Sequence, residues 1–580
     1  MAKKKEEELK TPKKAASADK KPAQKAAKPE KAAEKQPKEA AKAPAIAKTR
    51  AIVKTPEIVK TPAIREESAK SKTPPKPAAK TNLKLPQTKT PMRILFAASE
   101  CVPFAKTGGL ADVVGALPKY LKAMGHDVRV VTPRYYGVDR NALKKHEAPL
   151  GVPMGIIGEL WCGIYEGVLP GSDVPIYFVD YELYFGRESL YNEINGAGFM
   201  DNDNRFVFLS RAAMQLCKYL NFRPHILHTH DWHTSAANLF LTTIEAASEH
   251  FKGCASVLTI HNMQYQGNFY NGLMNVLAIG WEHFNFREIE MEDQVNLLKG
   301  GITHATMLST VSPKYSQELM TEEFGYGLEA TMRTRSRDLW GILNGVDLAD
   351  WNPKTDKFLP KNFDAADLSG KKACKIALQK EMGLPVRDVP VIAIVSRLVS
   401  QKGIDVVAEA IHDILSLDLQ FVLLGSGDPW THFYFGDIAY FYPERFACKI
   451  GYDNALSHRI EAGADLFLMP SRFEPCGLNQ MYSQLYGTLP IVHGVGGLDD
   501  SVQNYNEATG DGTGFKFYGL TAKNLFNTIG WAVSTWYNRR ADFERMQKRA
   551  MSLDYGWEKA AYTYELLYLE ALRRAGKFPF

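Results

Sequence analysis

The chain has 580 residues, 45% of them hydrophobic and 23% charged. That is ordinary globular usage, enough for roughly three or four average domains. No run of about 18 apolar residues occurs, which argues against a membrane-spanning helix. The net charge of +6 averages two unlike pieces. Residues 1–91 carry 23 Lys and 2 Arg against 10 acidic residues, a net +15, and the remainder carries 46 basic and 55 acidic residues, a net −9. An acidic body is a poor candidate for a nucleic-acid surface.

Residues 1–91 contain no Phe, Trp or Tyr and are dominated by Lys, Ala, Pro and Glu. Such a segment buries too little apolar surface to offset its ordering entropy, so a disordered tail is expected. It begins Met-Ala-Lys-Lys-Lys-Glu-Glu-Glu, without the apolar core of a secretory signal. Lys-Thr-Pro recurs at Lys54, Lys60, Lys72 and Lys89. A solvated spacer is one reading of this tail, and a basic arm that grips an anionic partner is the other. A chain starting at Met92 is a further alternative. The seven cysteines are scattered and form no C-x-x-C. They suit free thiols in a reducing compartment, hence the cytoplasm, rather than disulfides or zinc.

From Arg93 the texture changes. Short apolar runs read as buried parallel strands at Arg93–Ser99, Asp127–Thr132, Val174–Val179, His225–His228, Ser256–Ile260 and Ala305–Val311. Helical stretches lie between them at Ala111–Met124, Asn204–Leu220 and Thr234–Ala246. The pattern repeats after Trp351–Leu368. Strands are expected at Val389–Val395, Leu419–Leu424, Lys449–Gly451, Asp465–Met469 and Leu489–Val492. Helices are expected at Asp405–Leu415, Ala455–Ala462 and Leu478–Tyr486. Two doubly wound α/β domains follow, with ligands beyond the carboxyl ends of the strands and the cleft between the sheets as the default site.

Five constellations fall at those ends. In Lys106-Thr-Gly-Gly-Leu-Ala-Asp112 two glycines open backbone amides to an oxyanion and Lys106 adds a charge. His228-Thr-His-Asp-Trp-His233 offers a metal pair, polar sugar contacts, or a satisfied core histidine at His228. Thr259-Ile-His-Asn262 places a second polar pair at a strand end. Ser396-Arg-Leu-Val-Ser-Gln-Lys-Gly403 sets two cations in a strand-to-helix loop, where they can clamp a diphosphate. Pro470-Ser-Arg-Phe-Glu-Pro-Cys-Gly-Leu-Asn479 sets Glu474 before a helix start, and Gly494-Val-Gly-Gly-Leu498 adds another turn. Asp201-Asn-Asp203 reads as carboxylates at a helix N-terminus rather than a metal-binding D-x-D.

In order and spacing these motifs resemble the bacterial glycogen synthase and plastid starch synthase family, together with Leu343-Asn-Gly-Val-Asp347, Gly425-Ser-Gly-Asp428 and Gly487-Thr-Leu-Pro490. The resemblance covers essentially all of 92–575. It implies two Rossmann-like domains of GT-B type facing across a cleft, at 92–355 and 356–554, with 555–580 crossing back to the first. It implies transfer of glucose from ADP-glucose to the non-reducing end of an α-1,4-glucan such as glycogen, with retention, and no cofactor or metal. By that resemblance His261, Glu474, Arg397 and Lys402 are catalytic. Lys106, Gly109, Tyr452, Cys476, Gly477, Leu478 and Asn479 join Arg397 and Lys402 around the donor. Asp112, Asp231 and Asn262 face the sugar or acceptor. Tyr482 stands where relatives that use many sugar nucleotides carry a second Glu, which favours the glucan synthase branch. Asn479 replaces a usual Thr, and His493 lies near a usual Arg.

Overall fold

The computed structural model describes residues 85, 87–193 and 196–576. The expected tail therefore lies outside the described residues except for its last few positions. Those few are not free chain. Thr88 N donates to Met124 O at 2.8 Å and Gln87 Nε2 to Ala123 O at 2.8 Å. Both satisfy carbonyls at the end of the helix Gly109–Ala123 that lack an intrahelical donor. Gln87 and Thr88 are thus held against the first lobe.

The first lobe is built on one large sheet. Its order runs Leu339–Gly341, Met307–Thr310, Ala255–Ile260, Ile226–His230, Arg93–Ala97, Asp127–Pro133, Pro175–Asp180, Glu159–Val168, Lys144–Lys145. The first seven are parallel, with Ile94 opposite both Val128 and Ile226. Ile94 to Ala97 are buried on both faces, as a continuous apolar strand requires. Beyond Pro175–Asp180 the sheet turns antiparallel, Ile164 pairing Val179. That extension went unexpected because Glu159–Val168 alternates between buried and exposed residues. A separate three-stranded sheet joins Asn268–Tyr270, Glu290–Met291 and Gln294–Asn296.

The second lobe holds six parallel strands in the order Phe446–Ile450, Gln420–Gly427, Val391–Leu398, Leu466–Met469, Leu489–His493, Phe515–Phe517. Numbered along the chain this is 3-2-1-4-5-6, the dinucleotide-fold order. The parallel part of the first sheet follows the same rule, with a seventh strand. Each sheet therefore has one point where chain order reverses. In the first it lies between Arg93–Ala97 and Ile226–His230, and in the second between Val391–Leu398 and Leu466–Met469.

The last helix, Trp557–Arg574, packs in the first lobe. Trp557, Tyr564, Leu567, Tyr568 and Leu572 share one buried cluster with Ile94, Phe96 and Leu117. The chain passes between the lobes twice, and the passes touch where Val346 N donates to Tyr555 O at 2.7 Å. Among the described residues no helix is long and apolar enough to cross a membrane.

Candidate active site

The reversal point of the first sheet carries two of the expected motifs. The loop after Arg93–Ala97 is held from inside by Glu100, whose side chain is buried. Glu100 accepts from Thr107 N at 2.5 Å, Gly108 N at 3.2 Å, Thr107 Oγ1 at 2.6 Å and Tyr191 Oη at 2.7 Å. The amides of Thr107 and Gly108 face a carboxylate of the protein itself, and Lys106 Nζ is paired with Asp112 Oδ1 at 2.7 Å. Glu100 was missed, although a carboxylate three residues past a buried strand is a visible signal.

On the neighbouring strand the histidines separate by role. His228 has both ring nitrogens engaged, Nδ1 with Tyr568 Oη at 2.8 Å and Nε2 with Thr259 Oγ1 at 2.6 Å. It is a satisfied core histidine, with no lone pair left for a metal. His230 Nδ1 lies 3.0 Å from His261 Nε2. His230 Nε2 is buried with no hydrogen-bond partner among the described residues. An orphaned buried N–H costs more than an orphaned lone pair, so His230 Nδ1–H donates to His261. His261 then carries its own proton on Nδ1, ready to donate to a ligand. Burial holds the His261 imidazole down to about 3, so it is neutral at physiological pH. Asp231 sits in the left-handed region with φ of 51° and starts the helix Asp231–Thr242. Its Oδ1 accepts from His261 N at 2.6 Å and Asn262 N at 3.4 Å, which ties the two polar motifs together. Burial pushes this carboxyl up to about 7 despite those donors.

His233, stacked on Trp232 at 4.2 Å, is held down to about 3 by burial. Unfolding restores its value of about 6.5. Between those values the unfolded state binds a proton that the folded state refuses, so the stability this group contributes is lost as pH falls. His233→Gln removes the titration. The stability gap between wild type and variant should shift by about 2 kcal/mol in the variant's favour from pH 7.5 to pH 5, read from urea denaturation. An unchanged gap would place His233 in water.

The second reversal point gathers the cations. Arg397 lies on the strand Val391–Leu398, paired opposite Ser426, and not in the loop where its sequence placed it. Apolar patterning stops at Val395, but ladder hydrogen bonding runs three residues further. The short turn Ser400–Lys402 and Gly403 lead into the helix Ile404–Ile414. Gly403 has φ of 68°, and a Cβ there would lie 1.9 Å from Pro470 O. A recess of about 190 Å3 opens here, lined by Ser396, Arg397, Lys402, Pro470, Ser471 and Asn479, among others. Arg397 Nη2 donates to Gln401 Oε1 at 2.9 Å. Lys402 Nζ donates to Glu474 Oε2 at 2.5 Å, and Ser471 Oγ donates to the same oxygen at 3.1 Å. Asn479 Nδ2 is occupied by Val395 O at 3.1 Å.

The Glu474 loop is fixed from behind. Gly497 N donates to Glu474 O at 3.0 Å, and a Cβ at Gly497 would lie 2.0 Å from Cys476 O. The helix expected from Leu478 begins at Asn479, so Gly477 and Leu478 precede it. Cys476 is buried and burial pushes its thiol up to about 12, which leaves it protonated and inert. All seven cysteines are free. Tyr452 stands apart, exposed just past the strand Phe446–Ile450, with its hydroxyl on Asn454 Oδ1 at 3.0 Å. His493 Nδ1 is bonded to Ser471 O at 2.8 Å. Tyr482 does not line the recess. It stacks on Trp351 at 3.9 Å, and Trp351 stacks in turn on His458 at 3.8 Å.

The lobes meet beside this loop. Ser312 Oγ donates to Pro475 O at 2.7 Å, and Glu318 receives Gly496 N on both carboxylate oxygens, at 3.0 and 3.1 Å. Nothing in the sequence marks these partners, because each pair is more than 160 residues apart along the chain.

Two Rossmann-ordered sheets, each with charged or polar groups gathered at its reversal point, define a glycosyltransferase of GT-B type. The profile described as "Starch synthase catalytic domain" matches residues 93–334, and that described as "Glycosyl transferases group 1" matches residues 378–549. Glycogen synthase 1 of Geobacter metallireducens is 60% identical over 486 residues, covering 83% of this chain and 97% of that protein. The glycogen synthase of Treponema denticola is 44% identical over 489 residues, covering 83% and 99%. The catalytic domain of starch synthase IV from Arabidopsis thaliana, solved bound to ADP and acarbose, superposes with a TM-score of 0.76 at 32% identity, covering 83% of this chain and 100% of that one. The chain belongs to the glycogen and starch synthase family of glycosyltransferases.

Proposed function

We propose that the protein elongates an α-1,4-glucan such as glycogen, moving glucose from ADP-glucose to the non-reducing end with retention at the anomeric carbon. The observation that carries this reading is the recess at the second reversal point, lined by Arg397, Lys402 and Ser471, with Glu474 bonded to Lys402 and Ser471. The step breaks a bond from sugar to phosphate, so negative charge grows on the departing diphosphate. Arg397 and Lys402 are two fixed cations for that charge, in a partly closed site where they act more strongly than in water. Glu474 then takes hydroxyls of the glucosyl unit, and its exchange from Lys402 to sugar accompanies donor binding. His261 donates through Nδ1 near the reacting centre. Asp231 braces His261 and Asn262 through their amides, and Asp112 lies toward the acceptor. Lys106 and Gly109 approach the phosphates, the amides of Gly477 and Leu478 meet phosphate or sugar, and Tyr452 covers the adenine. In this reading the lobes divide as 92–355 and 356–554, residues 555–580 return to the first lobe, and the enzyme works in the cytoplasm. The presence of ADP and acarbose in the starch synthase IV structure supports both the nucleotide and the glucan side.

A coupled assay of ADP release tests the reading. ADP should appear from ADP-glucose in proportion to added glycogen, and UDP- and GDP-glucose should be poorer donors. Equal or faster release from UDP-glucose overturns the donor. Glycogen binding without any nucleoside diphosphate release makes the protein a glucan-binding scaffold.

A further inference from the structure

Three groups in the first lobe take no part in the chemistry above, yet they converge. His283 ends the short turn Trp281–His283, Glu288 lies in the segment that follows, and His304 ends the helix Leu297–His304. His283 Nδ1 lies 2.6 Å from Glu288 Oε2, and His304 Nε2 lies 3.2 Å from the same oxygen. All three ligand atoms fall within 4.8 Å of one another. Two imidazoles and a carboxylate are a donor set suited to zinc and its neighbours.

The surroundings fix how these groups point. Thr242 Oγ1 lies 2.6 Å from His304 Nδ1 and is itself held at 3.2 Å from Asn238 O and Leu239 O. This contact orients the ring so that Nε2 faces the Glu288 carboxylate. In the tautomer with the proton on Nδ1, Nε2 and the carboxylate oxygen both present lone pairs to a shared cation. The other carboxylate oxygen is held by Asn285 Nδ2 at 3.1 Å. Thr242 and Asn285 are thus the outer hydrogen bonds that orient ligands in metal sites.

We propose that His283, Glu288 and His304 bind one divalent transition-metal ion of the zinc class, with solvent completing its coordination. Zinc sits about 2.0–2.2 Å from nitrogen and oxygen ligands, which sets tetrahedral ligand atoms roughly 3.3 Å apart. Shifts of about an ångström bring these three side chains to that spacing. The side chains of His283 and Glu288 keep 24% and 32% of their surface, an entry path for the ion. The single negative charge of the set leaves a net +1 on the bound site. The ion clips the 281–288 turn to the end of the helix Leu297–His304, and so braces the segment carrying the small three-stranded sheet.

The experiment is calorimetric titration of ZnCl2 into the untagged full-length protein after chelator dialysis. Wild type should bind one equivalent with micromolar or tighter affinity. Glu288→Gln and His304→Ala should lose that equivalent while keeping the wild-type circular dichroism. Thr242→Val keeps every ligand but removes the outer partner of His304, and should weaken binding about tenfold. A rise in unfolding temperature on adding zinc should occur in wild type and vanish in Glu288→Gln. The proposal fails if wild type binds no stoichiometric zinc, or if a Glu288→Gln, His304→Ala double variant binds it as tightly as wild type.

Discussion

Replacing Lys402 by alanine should lower kcat by about a hundredfold to a thousandfold, the usual effect of removing one group that stabilises transition-state charge, or about 2.7–4 kcal/mol. The same change should also cost stability, for a separate reason. Glu474 is buried, and Lys402 and Ser471 are the partners of its Oε2. Alanine leaves that carboxylate short of a counter-charge, at about 1–3 kcal/mol. The two effects come apart in a double variant. Lys402→Ala with Glu474→Gln removes the stranded charge, so the urea midpoint should recover while turnover stays low. Full recovery of turnover would make the pair an internal brace with no part in catalysis. A threefold or smaller loss in Lys402→Ala at saturating donor would likewise remove Lys402 from the chemistry. Glu474→Gln alone should be severely slowed with its fold intact, and its effect should not add to that of Lys402→Ala, because the residues act as one unit.

Ending the chain at Gly556 should abolish the cooperative unfolding transition of the first lobe and leave most of the protein insoluble. The helix that would be lost supplies Trp557, Tyr564, Leu567, Tyr568 and Leu572 to the core beneath Ile94 and Phe96. Its removal also strips the Tyr568 hydroxyl from His228 Nδ1. Graded variants keep the test quantitative. Trp557→Ala should cost about 3–5 kcal/mol, as deleting a buried aromatic ring generally does. Trp557 fits directly against Gly345, where a Cβ would lie 2.6 Å from its Cγ, so collapse onto the gap is limited. Tyr568→Phe should cost about 1–3 kcal/mol by leaving a buried ring nitrogen unpaired. A truncated chain with the wild-type urea midpoint would show that the first lobe is complete without the helix.

Much of the fold was legible because its strands are buried on both faces. Ile94–Ala97 and Leu466–Met469 are continuous apolar runs and Ala255–Ile260 is predominantly apolar, and such a run between helices leaves few alternatives. Glu159–Val168 was not legible, since a half-exposed antiparallel strand mixes polar and apolar residues. Leu339–Gly341 and Phe515–Phe517 are three residues each, too short for any period. The helix Pro429–Phe441 hides behind Trp430, Phe433, Tyr440 and Phe441, aromatics that read as strand or core but are exposed. At the site, residue types were legible and pairings were not. Arg397 and Lys402 stand out in the sequence by charge and by their place after a buried strand. That Lys402 spends its charge on Glu474, 72 residues on, is a property of the folded chain. So is the use of the Thr107 and Gly108 amides by Glu100.

The return of the final helix to the first lobe imposes a timetable on synthesis. His228 and its partner Tyr568 are 340 residues apart along the chain. At about 5–20 residues per second, the ribosome separates their emergence by roughly 20–70 seconds. The core of the second lobe, which extends to Ala550, is wholly synthesised in the meantime, so the half translated later has all its core residues before the earlier half does. The earlier half waits with the apolar patch that Trp557–Arg574 will fill still open beside the helix Gly109–Ala123, and it is there that a nascent-chain chaperone has its longest opportunity to hold this polypeptide.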